Sequence, residues 1–227
     1  MGGTVWIVVP AYNEEHHIEG VIGDLKSHGY NNIVVIDDGS NDRTGWVSQQ
    51  AGATVLRHVL NRGQGAGLKT GIDFALQEGA DYIVTFDSDG QHMAKDIAPL
   101  LAPVQARDAE VALGSRFLTG SIDIPFSRRI LLKGSIFVIW LFYGIKMTDA
   151  HNGFRILSKD AASKINIKSN RMEHASEIIN EIKRNKLRYI ELPVTIRYND
   201  PRHLKGQGSY TGAVKIFLKM ILQKLMR

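Results

Sequence analysis

An α/β fold, with a mostly parallel central sheet flanked by helices, is predicted by three observations on the sequence. Short β-branched runs alternate with helical patterns through the first half of the chain, the mark of strand–helix–strand units. Those runs are apolar almost throughout, as in strands covered on both faces. Three polar clusters, PAYNEE, DDGSNDRT and DSDGQH, each follow such a run directly, and in parallel sheets ligands gather beyond the carboxyl ends of the strands.

The elements follow in order. Strands are expected at residues 4–9, 32–36, 54–58, 82–86 and 110–114. Between them, residues 14–28 carry Ile18, Val21, Ile22 and Leu25 at helical spacing, with Asn13 as the expected N-cap. Residues 65–78 place Leu68, Ile72, Ala75 and Leu76 on one side of a second helix, and residues 95–105 form a third. Right-handed crossovers are expected to join these units. The second half is less regular: helices at 128–146 and 173–185, an extended segment at 187–198, and a closing helix at 210–227. Pro193 marks the extended segment as an edge strand or a bend.

Composition bounds the function. The chain has 227 residues, 44% of them hydrophobic and 22% charged, enough for one domain with a sizeable core. With no cysteine, disulfides and thiolate metal sites are excluded, which fits a reducing compartment. The start MGGTVWIVVP goes straight into a strand pattern, so no signal peptide is expected. The longest apolar run, SIFVIWLFYGI at 135–145, is too short to span a membrane. A net charge of +5 biases the chain mildly toward anionic partners. No stacking-aromatic motif supports nucleic-acid binding, and no nucleic-acid partner is expected.

The stretch TFDSDGQH sets Asp87, Asp89 and Gln91 at alternate positions where a strand ends, with Gly90 to permit a turn. Two carboxylates brought together repel unless a cation lies between them. A hard divalent ion, Mg²⁺ or Mn²⁺, accepts such oxygen ligands and keeps positions open for phosphate and water. Taken alone, an Asp-x-Asp is more often a solvated acidic turn. A calcium EF-hand is excluded, because His92 and Ala98 stand where it needs Gly and Glu.

The companion motifs shift that balance. VVPAYNEE follows the first strand without the glycines of a dinucleotide fingerprint. The paired Asp37 and Asp38 end the second strand, where an acidic residue can accept hydrogen bonds from a ribose hydroxyl or a base N–H. NRGQGAGLKTGI opens a helix but is no Walker loop, since Leu68 replaces the glycine before Lys69. Its glycines read as letting backbone approach a ligand. Lys69 reads equally as a phosphate contact or as a solvated helix residue.

Together PAYNEE, DDGSNDRT, NRGQGAGLKTGI, DSDGQH, LGSRF and NGFR occur in the order of the family 2 glycosyltransferases. The chain resembles most the branch of dolichyl-phosphate mannose synthases and bacterial polyprenyl-phosphate glycosyltransferases, closely over residues 5–155 and more loosely over 156–198. The resemblance implies a GT-A fold over residues 1–209, with a nucleotide-sugar half (1–117) and an acceptor half (118–209), followed by the helix 210–227. It implies base and ribose contacts from Pro10, Tyr12 and Glu14, a second acidic nucleotide contact from Asp38, and a further donor contact from Asp87; Lys69 joins the nucleotide-binding candidates on the reading of its own helix. It implies a metal and diphosphate site at Asp87, Asp89 and Gln91, and inversion at the anomeric carbon with a nucleoside diphosphate leaving. Catalysis is assigned to Asp89, Arg116 and Arg128, the two arginines holding an acceptor phosphate, as the planar guanidinium fork favours. Arg129 joins them, with Arg202 and Lys205 on a glycine loop similar to the family's mobile loop.

A phosphate acceptor is already ionised near neutral pH, whereas a hydroxyl acceptor needs a base. RMEHASEII offers Glu173, His174 and Glu177 but lacks the Glu-Asp pair of many hydroxyl-directed relatives, which favours phosphate. The closing helix sets Lys215, Lys219, Gln223 and Arg227 at four-residue steps among apolar residues, a pattern suited to an anionic membrane surface. Packing on the chain's own domain, or in a homo-oligomer, shares that pattern. The expected function is therefore an inverting, metal-dependent glycosyltransferase on the cytoplasmic face of the membrane, peripherally bound. It moves a sugar from a UDP- or GDP-sugar to a polyprenyl phosphate. Transfer to a sugar hydroxyl of a lipid-linked glycan, in polysaccharide synthesis, is the alternative within enzymes. A non-catalytic nucleotide-sugar-binding scaffold is the alternative outside them.

Overall fold

The apolar runs assemble into a seven-stranded sheet in the computed structural model, which describes residues 3–118, 147–149 and 152–197. In chain order the elements are β1 (Val5–Ala11), α1 (Ile18–Ser27), β2 (Ile33–Asp37), α2 (Thr44–Gln50), β3 (Thr54–Arg57), α3 (Gln64–Gln77) and β4 (Tyr82–Thr85). Then come α4 (Ile97–Gln105), entered through a 3-10 turn at Ala94–Asp96, β5 (Val111–Ser115), β6 (Arg155–Ser158), α5 (Lys159–Lys164), α6 (His174–Arg184) and β7 (Tyr189–Pro193). The helices expected at 128–146 and 210–227, the boundary at 209/210, and Arg128, Arg129, Arg202 and Lys205 lie outside the described residues.

The strand order is β3-β2-β1-β4-β6-β5-β7. Every ladder is parallel except the two made by β6, which runs antiparallel between β4 and β5. This arrangement brings the carboxyl ends of β1, β2, β4 and β5 to the same edge as the amino end of β6. Thr85 pairs in register with Arg155, and Leu113 does so from the other side. The residues following β4 and those opening β6 are thereby neighbours. β7 is an edge strand ending at Pro193, as that proline's missing N–H requires.

Both faces of the sheet are covered, which accounts for the continuous apolar strands. On one face Ile7, Val9, Ile33, Val35 and Val84 join Ile18, Val21, Ile22 and Leu25 of α1 and Ile97, Leu100 and Val104 of α4 in one core. The alternate residues Val8 and Ile36 face α3. Helix α3 can lie close because its inner side is glycine: a Cβ on Gly71 would collide with Val8 Cγ1, and one on Gly67 would lie 3.1 Å from Pro10 Cβ.

Three local expectations change. Asn13 does not cap α1, which begins at Ile18 without a side-chain cap. Instead Asn13 adopts φ 57° and its Oδ1 accepts from the Asn41 N–H at 2.9 Å, tying the loop after β1 to the loop after β2. Helix α2 was not expected, because its buried residues are the polar Thr44 and Ser48. Strand β6 was not expected either, being only four residues long.

The glycine packing makes opposite predictions for two substitutions. Gly23 lies on α1 with nothing within 4 Å of a Cβ, so Gly23→Ala should stabilise by up to about 1 kcal/mol through helix propensity. Gly71→Ala meets stiff, buried Val8 and should destabilise by about 1–3 kcal/mol. Urea denaturation of the two variants checks the signs.

Candidate functional site

At the carboxyl edge of the sheet, Pro10, Ala11, Tyr12, Glu14, Asp38, Asn61, Gly63, Gln64, Asp87, Ser88 and Asp89 line an open cleft of about 370 Å³. Six of the residues singled out from sequence meet here: Pro10, Tyr12, Glu14, Asp38, Asp87 and Asp89. The loops that carry them are cross-tied. The Glu14 N–H donates to Thr44 Oγ1 at 2.8 Å and the Asn13 N–H to Ser40 Oγ at 3.0 Å. The Glu14 carboxylate itself is held by His17 Nδ1 at 2.8 Å.

Asp38 is buried and works as a hub. Its Oδ1 accepts from His58 Nδ1 at 2.7 Å and from the Arg62 N–H at 3.0 Å, and its Oδ2 accepts from the Gly63 N–H at 2.6 Å. The carboxylate thus shapes the 61–63 wall of the cleft besides facing it. Asp37, beside it, is turned inward and fully buried, accepting from the Ser40 N–H at 2.9 Å.

The Asp87 carboxylate is held from several sides. Gln64 Nε2, at the start of α3, donates to Oδ1 at 3.0 Å, and His92 Nε2 donates to Oδ2 at 2.9 Å. The His92 ring is buried and packs edge-on to Phe86, 5.4 Å between centroids. Burial alone would raise the Asp87 carboxyl. The His92 hydrogen bond and charge, followed by the charge of Arg155, outweigh it and hold the group below the ordinary carboxylate range. Arg155 is itself buried, which pushes its guanidinium down to about 10 against the pull of Asp87 and Asp149. Asp89 stands across the turn that Gly90 makes with φ 76°, and its Oδ1 accepts from the Gln91 N–H at 3.0 Å.

This donor set fits a hard divalent ion. Two carboxylates, one of them kept ionised, open on one cleft and leave the remaining coordination positions to a ligand and water. Among the described residues no group of three or more His, Cys, Asp or Glu could form an all-protein cage. Gln91 is less exposed than expected. Its side chain is buried, its Nε2 has no hydrogen-bond partner among the described residues, and it is not on the cleft wall.

Other sequence-predicted residues sit elsewhere. Lys69 Nζ lies 2.7 Å from Asp73 Oδ2 one helical turn along the exposed side of α3, the solvated position rather than the phosphate contact. Arg116 is clamped by buried Asp149, with Nε–Oδ2 at 2.7 Å and Nη2–Oδ1 at 2.8 Å. Glu173 stands at the N-terminal boundary of α6. Glu177 Oε2 accepts from the N–H groups of Lys168 and Ser169 at 3.0 and 2.7 Å, which makes it a loop fastener. His174 is buried, with Nδ1 2.8 Å from the Arg171 carbonyl, and burial followed by the Arg155 charge pushes its imidazole down to about 4.

The glycine-rich segment also reads differently in three dimensions. A Cβ on Gly65 would collide with the Ser169 carbonyl, and one on Gly63 would lie 2.8 Å from Arg171 Cγ. These glycines admit the 169–171 segment, not a ligand alone. Sequence reasoning missed Gln64, His92, His58 and Arg155. His92 stood within a recognised motif, but its reach back to Asp87 depends on the turn at Gly90, and the other contacts join residues far apart in the chain.

Comparison with known proteins agrees with this architecture. The model of the family described as Glycosyl transferase family 2 matches residues 6–166. An uncharacterized protein of Methanocaldococcus jannaschii is 40% identical, over 97% of this chain and 92% of its own length. The UDP-N-acetylglucosamine–dolichyl-phosphate N-acetylglucosaminyltransferase of Methanococcus voltae is 31% identical, over 97% of this chain and 96% of its own. In fold, the chain is similar to the Mycobacterium tuberculosis glucosyl-3-phosphoglycerate synthase solved with Mn²⁺, UDP-glucose and phosphoglyceric acid. That likeness has a TM-score of 0.65 at 19% identity, over 90% of this chain and 75% of the other. With a family match across the strands that build the cleft, and relatives similar over nearly its whole length, this chain belongs to glycosyl transferase family 2.

Proposed function

We propose that this glycosyltransferase moves a sugar, with inversion, from a nucleoside-diphosphate sugar to a polyprenyl phosphate at the cytoplasmic face of a membrane. The observation that carries the reading is that Asp87 and Asp89 open on the same cleft as Pro10, Tyr12, Glu14 and Asp38. Nucleoside and diphosphate can therefore lie side by side along the strand ends. Mg²⁺ or Mn²⁺ would be held by Asp87 and Asp89, with Gln91 behind them. When bound, it supplies positive charge to the diphosphate as the glycosyl–oxygen bond breaks. Asp87 is kept ionised by Gln64, His92 and Arg155, and Asp38 holds the 61–63 wall against which the nucleoside rests. The Methanococcus voltae relative is named for a UDP-sugar donor and a dolichyl-phosphate acceptor, and the mycobacterial structure contains UDP-glucose and Mn²⁺. Both support the donor and cofactor reading here.

The state of two of the three candidate bases, Glu177 and His174, favours an acceptor that is already ionised. Glu177 spends its carboxylate on backbone N–H groups. His174, with a pKa near 4, is a weak base at neutral pH. A phosphate oxygen attacks without either. Arg116, clamped by Asp149 near the end of β5, remains a proposed acceptor contact together with Arg128, Arg129, Arg202 and Lys205. No helix among the described residues is long and apolar enough to cross a membrane. The basic amphipathic pattern of residues 210–227 supports docking on its surface.

Two predictions follow from these assignments. Asp89→Ala should keep the fold by circular dichroism yet lower metal-dependent release of nucleoside diphosphate by at least about 100-fold. Undiminished turnover would remove the metal assignment. An acid-labile polyprenyl-phosphoryl sugar as product supports the acceptor, and a lengthened glycan contradicts it.

His174 titrates near 6.5 in an unfolded chain and near 4 in the folded one. Between those values the unfolded state binds more protons, so stability falls as pH falls through 6.5 and the loss is complete below 4. It approaches about 3 kcal/mol. Urea midpoints at pH 7, 5.5 and 4 should show wild type losing stability relative to His174→Gln. A constant difference across that range would mean the imidazole is not buried neutral.

A further inference from the structure

Among the described residues, the cleft wall carries four acidic side chains, Glu14, Asp38, Asp87 and Asp89, and no lysine or arginine. A ligand bearing phosphate meets repulsion there unless cations accompany it. One divalent ion at Asp87 and Asp89 offsets those two carboxylates and leaves little positive charge for the phosphate itself. A protein cation at the rim would complete the balance.

The 169–171 segment is placed to supply one. The backbone around Arg171 is fixed by contacts from three directions. Glu177 accepts the N–H groups of Lys168 and Ser169. The Asn170 carbonyl accepts from the Ala66 N–H in the first turn of α3, at 3.1 Å. The Arg171 carbonyl accepts from the buried His174 ring at 2.8 Å. Gly63 and Gly65 lack the Cβ atoms that would push this segment off α3. The Arg171 stem therefore rises against Gly63, a residue of the cleft wall next to Gln64, which in turn binds Asp87. The side chain above this fixed base is exposed, and no salt bridge among the described residues engages it. Arg62, the neighbour of Gly63 in sequence, is also exposed, but no comparable seat is built for it.

We propose that Arg171 is a phosphate-binding residue of the active site: its guanidinium closes over the Gly63 rim onto phosphate oxygens gathered beside Asp87 and Asp89. This rests on the donor reading above. A guanidinium suits the task because it stays charged and makes paired hydrogen bonds to phosphate. The phosphate can belong to the donor's diphosphate or to the acceptor, and the experiment separates the two.

Full-length wild type, Arg171→Gln and Arg171→Lys are titrated calorimetrically with UDP, GDP and the corresponding nucleosides in Mn²⁺. The KM for a polyprenyl phosphate is measured in parallel. If Arg171 binds the donor, Arg171→Gln weakens nucleoside diphosphate binding roughly tenfold or more and leaves nucleoside binding unchanged, with partial recovery in Arg171→Lys. If it binds the acceptor, nucleoside diphosphate affinity is kept and the KM for polyprenyl phosphate rises by a similar factor. Either result supports the proposal. Arg171→Gln matching wild type in both measurements overturns it while leaving the donor reading intact. Wild type that binds neither nucleoside diphosphate overturns the donor reading and this proposal with it.

Discussion

The Asp87 carboxylate has to stay ionised while half-buried at the edge of the cleft, and much of the architecture answers that requirement. A carboxylate moved out of water tends to take up a proton unless donors and positive charge meet it. Here the donors come from Gln64 on α3 and His92 beyond the Gly90 turn, and the charge from Arg155 on β6. Gly153 lets the β6 segment approach so closely that a Cβ there would lie 2.5 Å from Asp87 Oδ1. Inserting β6 antiparallel beside β4 is what delivers Arg155 and Gly153 to this point, because Thr85 and Arg155 are register partners. Arg155 is also drawn toward Asp149, which grips Arg116. The charges of Asp87 and of the Asp149–Arg116 pair are thus linked through one buried guanidinium.

The same logic explains the character of the cleft. Its carboxylates are fastened by backbone and side-chain donors, as Asp38 is by Arg62, Gly63 and His58. They are rigid, negative and pre-arranged, a poor host for an anion by themselves and a good one for an anion that arrives with a cation. Pre-arrangement matters for catalysis because dipoles and charges already in place need no reorganisation as the leaving group develops charge.

Much of this could be read from the chain alone, for definite reasons. Apolar runs covered on both faces announce buried parallel strands, and polar clusters directly after them announce the ligand edge. The ligand edge was legible in that pattern, while Pro10, Tyr12, Glu14, Asp38, Asp87 and Asp89 were singled out on it by the resemblance to family 2 glycosyltransferases, and they share one cleft. Elements without a periodic apolar stripe escaped: α2 buries Thr44 and Ser48, and β6 is a four-residue strand whose place depends on partners far away in sequence. The roles of Gln64, His92 and Arg155 were invisible because nothing in local spacing encodes a contact between residues 64, 87, 92 and 155. The glycines of NRGQGAGLKTGI show the converse error: a pattern that suggests ligand approach is equally required where α3 packs on Val8 and where the 169–171 segment crosses it.

The claim beneath all of this is that a divalent ion binds between the two carboxylates following β4 and takes a diphosphate as its remaining ligand. Anomalous diffraction from crystals grown with Mn²⁺ and a nucleoside diphosphate tests it most directly. The account predicts a single strong manganese peak contacting Asp87, Asp89 and the diphosphate oxygens. Bound nucleotide with no manganese at that position, or with manganese held elsewhere, would contradict it.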